Sequence, residues 1–138
     1  MDYFSPEMTD EEINRISNLG LAHMGDAVYE LLVRTWLCCH GGVTSKNLHE
    51  LTVSYVRAPA QAEAAGKIRG GLTEEEQAVY RRGRNTKVNS VPHNATPEEY
   101  HAATGLETLF GWLYLKGEKE RINEIFEKIM PETPENDG

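Results

Sequence analysis

Apolar residues recur along this chain at helical spacing, and no segment alternates in the manner of a strand. Ile13 and Ile16 mark a short first helix, for which Thr9 and Glu12 form a predicted capping box. Residues 20–39 read as a long buried helix, separated from the first at Asn18 or Gly20 and ended by Gly41-Gly42. Thr44 or Ser45 should cap the next stretch. It runs to about Lys67 through Leu48, Leu51, Val53 and Val56, and Pro59 should kink or split it. Gly70-Gly71 reads as a turn, and Thr73 with Glu76 as a second capping box. Residues 83–96 show no period and many turn formers, so they read as a loop. Thr96-Pro97 opens a long apolar helix to Leu115. Residues 118–130 form an amphipathic last helix through Ile122, Ile125, Phe126 and Ile129. The expected class is all-α, with one domain over residues 1–130 and a disordered tail over 131–138.

The 138 residues suffice for one sizeable core, and the balance of 39% apolar to 26% charged residues is that of a globular domain. No apolar run is long enough to span a membrane. The acidic N-terminus lacks the basic and apolar regions of a secretory signal. Cys38 and Cys39 are adjacent, which argues against a structural disulfide, and are expected as reduced, buried thiols of a cytoplasmic protein. Two adjacent cysteines without a further Cys/His pair do not make a zinc site.

The net charge of −8 argues at first against a nucleic-acid partner, but its distribution reverses that reading. Residues 1–12 hold five acids and no base, and residues 118–138 hold seven acids and three bases, so the middle is slightly basic. Arg81, Arg82, Arg84 and Lys87 crowd into one short segment there. Guanidinium groups suit phosphate because their fork is bidentate. Basic side chains are also favoured at a helix C-terminus by the dipole alone, so both readings stand.

Two carboxylates interrupt the two most apolar helices: Asp26 in "MGDAVYE" and Glu107 in "ATGLETLFGWLYL". Each lies near glycine: Gly25 for the first, Gly105 and Gly111 for the second. A buried, unpaired carboxylate is costly. A divalent cation between the helices would account for both, and oxygen ligands suit magnesium. The simpler account is a solvated acid or an acid paired with arginine, and Glu30 looks like such a residue. His23, His40, His49, His93 and His101 show no ligand spacing and are expected to be structural, although His49 and Glu50 are candidates for support around the site. Trp36 and Trp112 are expected in the core. Neither a nucleophile elbow nor a phosphate-binding glycine loop is present.

"LGLAHMGDAVYELLV" resembles the signature helix of the ribonuclease III family, and "ATGLETLFGWLYLKG" resembles that family's second signature helix. "RRGRNTK" and the loop after it resemble the Mini subgroup, which consists of the catalytic domain alone. The resemblance spans about residues 10–130. It implies the family's helical endonuclease fold, paired as a homodimer about a two-fold axis, with Asp26 and Glu107 as catalytic metal ligands. Magnesium is the implied cofactor, with manganese an expected substitute. The implied substrate is double-stranded RNA, specifically the precursor of large-subunit (23S) ribosomal RNA, with a ribosomal protein as a candidate helper. Arg81, Arg82, Arg84, Asn85 and Lys87 become the expected RNA contacts, with Asn89 and Asn94 as additions and Arg57 and Lys67 as extensions of the patch. Longer family members place acids where this chain has Ala22 and Thr104, a departure that fits the Mini subgroup and makes Thr104 a supporting rather than a ligating candidate.

Two other classes compete with the nuclease. The missing acids at positions 22 and 104 suit a module that grips structured RNA in ribosome assembly without cutting. A helical metal-dependent nucleotide hydrolase would need clustered acids, and Glu74–Glu76 and Glu98-Glu99 look instead like partners of helix N-termini.

Overall fold

The computed structural model describes residues 1–132 except 42, 43, 88, 89 and 92. Gly42, Asn89 and residues 133–138 of the expected tail lie outside the described residues. The described chain is all-helical: α1 (Asp10–Ile13), α2 (Asn18–Cys39), α3 (Ser45–Val56), α4 (Ala58–Ile68), a 3₁₀ turn (Arg69–Gly71), α5 (Glu74–Arg84), α6 (Pro97–Lys116) and α7 (Lys119–Ile129).

The helix starts follow from local chemistry. Thr9/Glu12, Thr73/Glu76 and Thr96/Glu99 each form a complete capping box, so the side chains at both positions satisfy backbone N–H groups that the helix leaves free. Ser17 caps α2 by accepting from the Gly20 N–H, so this helix begins two residues before the expected start at 20. Thr44 stands at the N-cap of α3 without a side-chain bond. The stretch from 45 to 68 is split as Pro59 required. Arg57 turns extended (ψ 155°), and Pro59 falls in the first turn of α4, where no N–H is needed. α6 ends at Gly117, whose φ of 84° lets the Glu118 N–H reach back to the Leu113 carbonyl.

α6 is the central rod, with its most extensive contact against α2 and further contacts to α5, α4, α7 and α1. Tyr29, Phe110 and Phe126 meet edge to face at 5.3 and 5.9 Å between ring centroids, tying α2, α6 and α7 together. A bidentate ion pair of Arg121 with the buried Glu76 (2.8 Å) pins α7 to the start of α5, and the same guanidinium donates to the Gly71 carbonyl. Burial would raise the Glu76 pKa, but the Arg121 contact and the Thr73 backbone N–H hold it below its ordinary value.

Trp112 lies in the core as expected, whereas Trp36 is only half-buried against its edge. The expectation of buried thiols was wrong. Cys38 and Cys39 are free and exposed, because the inward stripe of α2 runs through Tyr29, Val33 and Leu37 and the two thiols fall on its other faces. Among the described residues no helix is long and apolar enough to cross a membrane.

Candidate active site

From Ala103 to Leu113, every residue of α6 is buried except Glu107, which is half-buried. A carboxylate at that point sits where the central rod surfaces between α2 and α4. Gly25 and Gly111 explain why α2 comes so close. A Cβ on Gly25 would fall 1.6 Å from the Glu107 carbonyl oxygen, and one on Gly111 would fall 2.0 Å from that of Leu21. The two helices therefore touch backbone to backbone at this level. The glycines let the helices pack so closely that no room is left between them at this level, and the two acids meet at the rim. Asp26 follows Gly25 on the exposed rim of that contact, and its side chain comes within hydrogen-bonding reach of Glu107.

The pair is electrostatically strained. Burial, then the charge of Asp26 and a proton shared with it, push the Glu107 pKa up to about 8. Gln61 of α4 opposes this weakly, its Nε2 donating to Glu107 Oε2 at 3.4 Å. The same amide nitrogen donates to the Val56 carbonyl at 2.7 Å, satisfying an end of α3. Gln61 Oε1 is buried with no partner among the described residues. Gln61 is the residue that sequence reasoning missed, and a signal was present. It takes the first position of the α4 stripe Gln61, Ala64, Ala65, Ile68, where the helical period calls for an apolar side chain.

Two adjacent carboxylates that repel each other, one partly desolvated, fit a divalent cation bound through two acids and otherwise through water or substrate oxygens. Among the described residues no cluster of three or more His, Cys, Asp or Glu side chains could hold a metal, so the protein's own donors are this pair.

The other expected residues are placed apart from it. The Thr104 hydroxyl donates to the Tyr100 carbonyl at 2.9 Å within α6, so it serves its own helix. His49 and Glu50 lie exposed on α3, and among the described residues no hydrogen bond joins them to either carboxylate. Glu30 pairs with Arg34 at 3.0 Å on the surface, as an ordinary helix pair. Arg81, Arg82, Asn85 and Lys87 are exposed and Arg84 is half-buried at the end of α5, as an RNA-contacting segment requires. Asn94 is exposed in the loop before α6 and Arg57 is exposed between α3 and α4. Lys67 is committed elsewhere: its ammonium donates to the Ile129 carbonyl at 3.2 Å and caps α7. His40 Nδ1 bonds the Trp36 carbonyl at 2.8 Å, whereas His101 Nδ1 is buried without a partner among the described residues.

Comparison with known proteins places these features in a wider set. The Ribonuclease III domain model matches residues 19–118. Mini-ribonuclease 3 of Clostridium tetani is 39% identical over 140 residues, spanning 99% of this chain and 93% of the relative. Mini-ribonuclease 3 of Symbiobacterium thermophilum is 47% identical, over 79% of this chain and 84% of the relative. Among solved structures, the crystal structure of a Fusobacterium nucleatum protein is similar with a TM-score of 0.76 at 32% identity, covering 83% of this chain and 93% of that one.

Proposed function

Because the chain belongs to the ribonuclease III family, with Mini-ribonuclease 3 proteins as its relatives, we propose that it is a magnesium-dependent endoribonuclease that cuts double-stranded RNA. The observation that carries the reading is the meeting of Asp26 and Glu107 on the rim of the Gly25–Gly111 contact. These two carboxylates would hold the cation, and manganese would substitute for magnesium. When bound, the cation supplies Lewis acidity: positive charge for the phosphodiester and activation of the attacking water. To hold the cation, Glu107 would give up the proton it shares with Asp26, and Gln61, whose Nε2 lies 3.4 Å from one Glu107 oxygen, would keep that carboxylate in one orientation. Arg81, Arg82, Arg84, Asn85 and Lys87 would draw in and orient the RNA through its phosphates and 2′-hydroxyls. In-line displacement would leave 5′-phosphate and 3′-hydroxyl ends.

The same reading takes residues 1–130 as the catalytic domain and the precursor of 23S ribosomal RNA as the natural substrate. It also places the protein in the cytoplasm, with a ribosomal protein as a candidate helper. It requires a homodimer, so that two sites face the two strands. An apolar groove of about 300 Å³ supports this, with Met24, Ala27 and Leu31 of α2 beside Tyr3 and Phe4. Leu31, Tyr3 and Phe4 are 54%, 80% and 79% exposed in the single chain, a patch suited to a second copy.

The competing reading is a module that binds structured RNA without cutting it. Its specific support is that Ala22 and Thr104, at the positions of the two missing acids, are buried and offer no ligand. Long double-stranded RNA incubated with the protein in magnesium or in EDTA separates the two. Discrete fragments with 5′-phosphates, formed only with metal, support the nuclease. RNA bound but intact in magnesium overturns it in favour of the module.

A further inference from the structure

Residues from the end of α4, the 3₁₀ turn and α5 line one cleft, and three arginines contribute to its walls. Arg69, immediately after α4, lies over the ring of the buried Tyr80, 5.3 Å from its centroid. Burial raises the Tyr80 pKa, and the charges of Arg69 and Arg84 oppose this. A cleft of about 490 Å³ opens beside them, its walls including Gly66, Arg69, Gly70, Gln77, Arg81 and Arg84. No acid lines it. A second cavity of about 710 Å³ adjoins it across Arg69, Tyr80 and Arg84; Glu98 and Glu99 line it together with Asn85, His101 and Ala102, but among the described residues neither acid comes within ion-pair distance of an arginine there.

The informative feature is that three arginines without an ion pair share one cleft with no acid on its walls. Arg15, Arg34, Lys116 and Arg121 each have a carboxylate within ion-pair distance. Among the described residues, Arg69, Arg81 and Arg84 have none, although the chain carries a net charge of −8. Three like charges held together without neutralisation are a cost that an anion from outside would remove. The contact with Tyr80 holds the Arg69 guanidinium at the cleft wall, and a guanidinium fork suits bidentate bonding to a phosphate. Gly66 and Gly70 leave that wall free of side chains, so a sugar–phosphate strand can approach closely. The adjoining cavity links the cleft to the candidate active site through α4: it is lined by Ala62, the neighbour of Gln61, whose amide donates to Glu107.

We propose that Arg69, with Arg81 and Arg84, forms a phosphate-binding cleft that grips the backbone of the RNA duplex beside the cut. This rests on the nuclease reading above and adds to it a residue outside the basic segment. Arg69 is exposed, so its replacement leaves the fold intact. Arg69→Gln keeps the stem over Tyr80 and removes the charge; Arg69→Lys keeps the charge and loses the fork. Binding of double-stranded RNA is measured in EDTA across a salt series, alongside thermal stabilisation by inorganic pyrophosphate. Arg69→Gln should bind RNA about five- to tenfold more weakly near 0.1 M salt, with a log–log salt slope shallower by about one. Arg69→Lys should keep the wild-type slope. Wild-type RNA affinity and slope in Arg69→Gln overturn the proposal, leaving the nuclease reading intact. If Arg69→Gln loses only pyrophosphate stabilisation while RNA binding is unchanged, the cleft serves a small phosphate ligand and the RNA assignment is overturned. If the wild-type protein itself neither binds nor cuts duplex RNA, it is the nuclease reading that fails, and this proposal with it.

Discussion

Asp26 and Glu107 differ in surroundings although they touch: Asp26 is exposed, and Glu107 is half-buried in the central helix. That difference sets a pH dependence. In the metal-free protein, Glu107 holds its proton up to about pH 8, whereas in the unfolded chain it releases it near 4.5. Between those values the folded state binds the extra proton. Stability is therefore greatest below the unfolded value, falls as pH rises through the window, and levels off above it. The melting temperature of the metal-free wild type should drop by several degrees from about pH 5 to about pH 8 relative to Glu107→Gln, which lacks the titrating group. Magnesium should restore the loss in the wild type at the upper end and do nothing for the variant. Above about pH 8 in EDTA, where both carboxylates are charged, Asp26→Asn should melt at or above the wild-type temperature because it relieves the repulsion, while cleavage falls by orders of magnitude. Full single-turnover cleavage by well-folded Asp26→Asn would falsify the catalytic assignment.

At the scale of elements, the site depends on how closely two helices meet. Glycine is needed at position 25 for reach, not for conformation: it is helical, but a methyl group there collides with the backbone of α6 at Glu107 and Gly111. Backbone cannot yield as a flexible side chain can. Gly25→Ala should therefore push α2 from α6, cost about 3 kcal/mol in chemical denaturation, and abolish cleavage even in the folded fraction. Gly66→Ala is the control for stability alone, because Gly66 also lines the proposed phosphate cleft. A Cβ there meets nothing within 4 Å, so the helix should gain slightly from alanine's better propensity. Equal effects of the two substitutions on stability would mean that the close approach of α2 and α6 is not what positions the acids.

For the whole molecule, the exposed apolar side chains on α2 and the N-terminal segment bear on assembly. Tyr3 and Phe4 are held near α6 and α7 by the Tyr114 hydroxyl, which donates to the Tyr3 carbonyl, and by Lys119, which bonds Ser5. The segment thus widens the apolar face around Leu31 rather than covering it. Sedimentation equilibrium at micromolar concentration should give twice the chain mass of 15.5 kDa, and Leu31→Asp should return the mass to that of one chain while helicity is retained. A wild-type mass of one chain would remove the two-site arrangement from the proposed mechanism.

Helix positions, their caps and the all-α class were legible in the sequence because they rest on interactions between residues three or four apart. Thr9 with Glu12, Thr73 with Glu76 and Thr96 with Glu99 are complete within one turn, and Pro59 breaks its helix by its own covalent geometry. Asp26 and Glu107 stood out for a similar reason, as charges in apolar runs. Their proximity to each other was not legible from the spacing: it depends on a glycine contact between residues 25 and 111, far apart in the chain. The same holds for Gln61, whose role comes from meeting Glu107 across two helices, and for Arg69, whose partners Tyr80 and Arg84 come from another element. Burial misled where packing decided it, as at Cys38 and Cys39, which look apolar in sequence yet fall on the uncovered faces of α2 beside the buried Leu37. Local order follows from neighbours along the chain. The site follows from which helix faces the long-range packing brings into contact, and with them the charges and unpaired polar atoms they carry.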